Sequence, residues 1–169
     1  VLSTAGPALA RWLAAVDNLD LFVDVGRLDP GGTASAFVRA GDLTLMVARP
    51  TAEQLQPAAQ RMRALSVEQP QLAWLLIGNS PYPAHEVEAT FGYDVAGVIA
   101  DDRRGAHALE HGAQAHRVRR SGLARSATGV AESLVVNLNA SGASGSSERP
   151  LVDLAATGQA GPNGASHDC

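Results

Sequence analysis

The chain has 169 residues, room for one domain of ordinary size, and its 46% hydrophobic content supports a packed core rather than a wholly disordered coil. Only 4% of residues are aromatic, so Ala, Val and Leu must build that core, and a formal net charge of −4 gives no global argument for nucleic acid or an anionic membrane. Cys169 is the only cysteine, which excludes an internal disulfide and a cysteine-based metal site.

In chain order, residues 8–16 predict a helix that leads into a first apolar run at residues 20–25. Further apolar runs follow at residues 43–48, 72–77 and 95–100, each too short for a helix and rich in Val, Ile, Leu or Phe. None alternates cleanly between apolar and polar, the pattern of strands buried on both faces of a parallel sheet. Between them, Asp29-Pro30 supplies a capping carboxylate and a first-turn proline ahead of a helix over residues 34–40. Thr51 and Gln54 have capping-box spacing, and Pro57 moves the expected helix start to about Gln56, with the helix running to Leu65. Residues 85–91 predict a short helix closed by Gly92, and residues 123–136 a final helix.

Strands alternating with helices predict an α/β fold, a mostly parallel sheet with flanking helices, over residues 1–136. Residues 137–169 are dominated by Gly, Ser, Ala, Asn and Pro and are expected to form a flexible tail rather than a second domain. No apolar run approaches the roughly 20 residues of a membrane helix, and no signal-peptide pattern opens the chain. A cytoplasmic protein with no membrane span is therefore expected.

The segment Asp20-Leu21-Phe22-Val23-Asp24-Val25-Gly26 has the form of a Walker B element, an apolar strand ending in a carboxylate and followed by glycine. Later segments keep step with it: Ala40-Gly41-Asp42-Leu43-Thr44-Leu45-Met46-Val47, Arg49-Pro50-Thr51, Leu75-Leu76-Ile77-Gly78-Asn79 and Val95-Ala96-Gly97-Val98-Ile99-Ala100-Asp101-Asp102. With Gly112 and residues 121–134, they make the chain resemble the C-terminal part of the MinD/ParA group of deviant P-loop ATPases. The resemblance implies a partial P-loop NTPase-like domain that binds ATP and magnesium and dimerises as a switch in partitioning or positioning. It assigns Asp24 to the magnesium through a water, Gly26 to the start of a switch, and Asn79 and Asp101 to the seat of the base.

The chain departs from that family in its phosphate grip. All 13 basic residues are arginine, so no Gly-Lys-Ser/Thr phosphate loop is present. Ala100 stands where the family has proline, and the C-terminal stretch lacks a basic amphipathic helix for membrane anchoring. The expected protein is a fragment or truncated relative, not hydrolytic alone, and prone to self-association through an unpaired sheet edge. The alternative is a non-catalytic interaction module that pairs with a full-length ATPase subunit.

Two further groups carry chemistry. Arg117, Arg119, Arg120 and Arg125 form a basic cluster, for which the resemblance to the ParA branch implies nonspecific DNA contact through phosphates, the alternative being exposed arginines paired with local carboxylates. His107 and His111 stand four apart with Glu110 between them, spacing that sets two metal ligands on one helical face, although no third ligand is close in sequence.

Overall fold

Three of the four apolar runs form strands in the computed structural model, which describes residues 2–16, 19–26, 34–69, 71–112 and 115–144. Helix α1 spans Leu2–Ala14 and α2 spans Ala34–Ala40, and these two pack against each other. Strand β1 (Thr44–Ala48), helix α3 (Ala52–Leu65), strand β2 (Leu72–Ile77), helix α4 (Ala84–Phe91) and strand β3 (Val95–Ile99) then alternate. Helices α5 (Arg103–Glu110), α6 (Ala115–Arg119) and α7 (Gly122–Ser144) follow.

The strands lie in the order β1-β2-β3 and all pair in parallel, so the expected α/β class with a parallel sheet holds. Leu72, Trp74 and Leu76 alternate along β2 and turn one face to Leu55, Ala58, Ala59 and Met62 of α3 and to Val87 of α4. Between Trp74↔Val95 and Leu75↔Gly97 the register slips, leaving Ala96 as the extra residue of a bulge. Gly97, paired with Leu75, belongs to the opposite face, where α7 packs on β3. Gln69, itself buried, donates to the carbonyls of Val38 and Gly41 at 2.9 and 2.7 Å and accepts from Gln71 N at 3.0 Å. One amide thus fastens the end of α2 to the start of β2.

Residues 20–25, expected as the first strand, take no regular secondary structure and pair with nothing in the sheet. An apolar run becomes a strand only through a ladder partner, and here Leu21, Phe22 and Val23 are exposed instead, Phe22 at 79%. The outer edge of β1 is correspondingly open among the described residues, and Val47 on that strand is 58% exposed.

Three helix boundaries also differ from expectation, and the first is α1, which spans Leu2–Ala14 rather than residues 8–16 and carries Pro7 inside it. Helix α3 starts at Ala52 and carries Pro57 inside it, and Thr51 at its N-cap makes no side-chain cap bond. Pro57 is exposed, so the Glu53 carbonyl it deprives of a partner sits on the solvent side of the helix, where the loss costs least. Gln54 accepts from Arg49 N at 2.8 Å instead of closing a capping box. Helix α7 runs on to Ser144, past the expected end at residue 136, because extending a formed helix adds one hydrogen bond per residue fixed. The Asp29-Pro30 cap and residues 145–169 lie outside the described residues. Helix α4 closes on Gly92, whose φ of 73° is the left-handed cap the sequence predicts.

Candidate functional site

Parallel strands deliver all their C-terminal loops to one edge of the sheet, the edge at which open α/β folds bind ligands. Here that edge gathers Arg49-Pro50-Thr51 after β1, Gly78-Asn79-Ser80 after β2 and Ala100-Asp101-Asp102 after β3. Gly78 N donates to Ile99 O at 2.8 Å, joining the second and third loops. Gly78 has a φ of 83°, so a side chain there is strained even though an added Cβ would make only ordinary contact with Asp101 Cβ at 3.6 Å.

Across this edge the Arg49 guanidinium grips both oxygens of Asp101, through Nη1 to Oδ2 and through Nη2 to Oδ1 at 3.1 Å. The hydrogen bond from Arg49 holds the Asp101 carboxyl below its ordinary range, and the same bond raises Arg49. The fork ties the loop after β1 to the loop after β3 over the end of β2. Both side chains keep over a third of their surface in water, so the pair orients the loops more than it stabilises them.

Asn79 Oδ1 accepts from Ala84 N at 3.2 Å. It serves the first turn of α4, whose N-cap, Pro83, makes no side-chain cap bond. Its amide nitrogen remains a donor for a ligand at the sheet edge. Asp102 Oδ1 accepts from Gly105 N at 2.9 Å and Oδ2 from Gly122 N at 2.8 Å, so one carboxylate caps both α5 and α7. Ser126 Oγ accepts from Ala100 N at 2.9 Å and fastens α7 to the same loop.

The double cap makes Asp102 acid-sensitive. The Gly105 amide bond, with those of Leu123, Gly122 and Arg104, lowers its pKa against desolvation. A folded pKa below the unfolded value of about 3.9 means the stabilisation is complete above that value and is lost as pH falls through the folded one. Asp102→Ala is expected to lower Tm by several degrees at pH 7, with the deficit against wild type shrinking below about pH 4. An unchanged difference across that range in thermal melts would refute the charged double cap.

Among the described residues, the remaining candidates make no hydrogen bond or ion pair to this cluster. Asp24 is exposed, and its Oδ1 accepts from Gly26 N at 2.8 Å, closing a local turn in which Gly26 has a φ of 60°. Arg119 and Arg120 are exposed, and Arg125 donates to Arg120 O at 2.7 Å. Among the described residues none of these three pairs with a carboxylate, and the side chain of Arg117 lies outside them. In the sequence Arg49 lies in an expected turn and Asp102 in the loop expected after a strand, and neither carries an expected role of its own. Asp102 is signalled by an aspartate just before a helix; the partner of Arg49 has no local signal.

A groove of about 190 Å³ runs between α3 and α4, with Leu55, Val87 and Phe91 among its walls and Tyr82 and Glu86 beside them. It falls below the roughly 300 Å³ at which ligand pockets begin, so the sheet edge is the stronger site. No helix among the described residues is long and apolar enough to cross a membrane. Comparison with family models, curated proteins and solved structures finds no match to this chain.

Proposed function

We propose that this chain is part of a MinD/ParA-like ATPase acting in partitioning or positioning, and that it supplies the base-binding half of the nucleotide site. The observation that carries this is the convergence of Arg49, Asn79 and Asp101 at the C-terminal edge of three consecutive parallel strands. Asn79 offers its amide donor and Asp101 its carboxylate to the edge of a heterocycle, while Arg49 aligns Asp101. ATP and magnesium are the ligands in this reading, and Asp24 holds the magnesium through a water once residues 20–25 join a completed sheet.

The chain carries no lysine, so the grip on the β- and γ-phosphates has to come from a strand and loop not contained in this sequence. The open edge of β1 has room for such a strand. Arg117, Arg119, Arg120 and Arg125 are the candidate contacts to a DNA backbone, and the partner protein is a second copy or a full-length ATPase subunit. The alternative, a non-catalytic module that docks on such an ATPase, is favoured by the exposed apolar side chains of Leu21, Phe22, Val23 and Val47.

Calorimetric titration of Mg-ATP into the isolated chain is expected to give no saturable binding. Saturable binding abolished by Asp24→Ala would place the phosphate grip inside this chain and overturn that part of the proposal. Association with a MinD/ParA-like ATPase only in the presence of nucleotide supports the shared site. Association indifferent to nucleotide supports the docking module.

A further inference from the structure

The last turn of α5 holds an arrangement that the nucleotide reading does not use. His107 and His111 stack with ring centroids 4.0 Å apart and planes inclined by 12°. His111 closes the helix as its C-cap, with its backbone N–H donating to His107 O at 3.1 Å. Its ring Nδ1 lies 3.0 Å from the same carbonyl. A carbonyl only accepts, so Nδ1 carries a proton, and in the neutral ring it is Nε2 that offers a lone pair. Among the described residues neither nitrogen of the His107 ring is hydrogen-bonded, and both rings are exposed.

We propose that His107 and His111 form a two-imidazole site for a divalent late first-row transition metal, with Cu2+ the strongest binder. Metal–nitrogen bonds of about 2.0–2.1 Å at a bite near a right angle need donor nitrogens about 3 Å apart. The centroid distance sets the rings side by side on one helical face, and because near-parallel planes direct their lone pairs in parallel, an exposed ring has to turn about χ1 and χ2 for both to converge on one ion. Imidazole suits copper, nickel and zinc, and affinity at such donors rises along the series to copper. The carboxylate of Glu110 has an oxygen 4.0 Å from His111 Nδ1, beyond hydrogen-bond reach and on the protonated side of the ring, so it does not complete the ligand set. No group of three or more metal-binding side chains gathers among the described residues. The remaining coordination positions therefore belong to water or to a donor from a second molecule, and the site is an exchangeable one rather than a closed structural centre.

The test is titration of Cu2+ into the full chain carrying His167→Ala and Cys169→Ser, which removes the competing imidazole and thiol near the C-terminus. One equivalent is expected to bind, with affinity falling at least tenfold in His107→Ala and equally in His111→Ala, and unchanged in His85→Ala and His116→Ala. Both substituted side chains of the pair are exposed, and circular dichroism checks that the fold is retained. Zn2+ is expected to raise Tm only when both histidines are present. Affinity equal in all variants, or lost to the same degree in His85→Ala, would overturn the proposal.

Discussion

Trp74→Ala is expected to cost about 3–5 kcal/mol. The side chain is fully buried in the central strand β2, among Met62 and Leu55 of α3 and Val87 of α4. Its ring meets Phe91 at 5.8 Å between centroids with planes tilted by 58°. The other buried members of that core are Ala, Leu, Val and Met, held on the sheet and two helices, so they close only part of the space the indole leaves. Against a total stability of about 5–15 kcal/mol this is a large fraction, enough to unfold the chain at the lower end of that range. Trp74→Phe separates ring volume from polarity. Indole Nε1 is buried without a hydrogen-bond partner among the described residues, so phenylalanine removes an unsatisfied donor as it sheds part of the ring. Its loss should be well under half that of alanine. Urea unfolding followed by far-ultraviolet circular dichroism reads both, and a loss below about 1.5 kcal/mol for Trp74→Ala would mean the helices are not packed on that ring.

The apolar runs that became strands did so for a reason the sequence carries locally. Residues 72–77 and 95–100 lack alternation because neither strand leaves a face exposed, whereas residues 43–48 keep the same run although Val47 is exposed; the observed strands end within one residue of the expected limits. Residues 20–25 have the same local signature, yet they lie unpaired, because pairing depends on a neighbour strand and not on the run itself. The candidate site divides in the same way. Asn79 and Asp101 are legible as the residues that end strands in a parallel sheet. The fork from Arg49 to Asp101 spans 52 positions in sequence, and only the order β1-β2-β3 brings its ends together. Gly and Ser after residue 136 signal a tail, but helix propagation from α7 outweighs their low propensity as far as Ser144.

Gly97→Ala should destabilise the chain by about 1–3 kcal/mol although it adds one methyl group. A Cβ at this position would lie 2.4 Å from Val130 Cγ2 and 2.9 Å from Cγ1, distances at which something must move. Val130 is β-branched within α7, so χ1 rotation offers it little escape. The helix itself is held at its start by Asp102 on Gly122 N and by Ser126 on Ala100 N, both within the loop that follows β3. Relief by sliding α7 would therefore pull on residues 100–102 and on the Asp101 carboxylate that Arg49 grips. Val130→Ala removes both offending methyls, so the double variant should be more stable than the sum of the single losses by about 0.5–3 kcal/mol. Simple additivity in that cycle would show that α7 does not bear on β3 through this pair. A positive coupling would show that the glycine is where the long helix seats on the sheet, and that the seat and the candidate site share one loop.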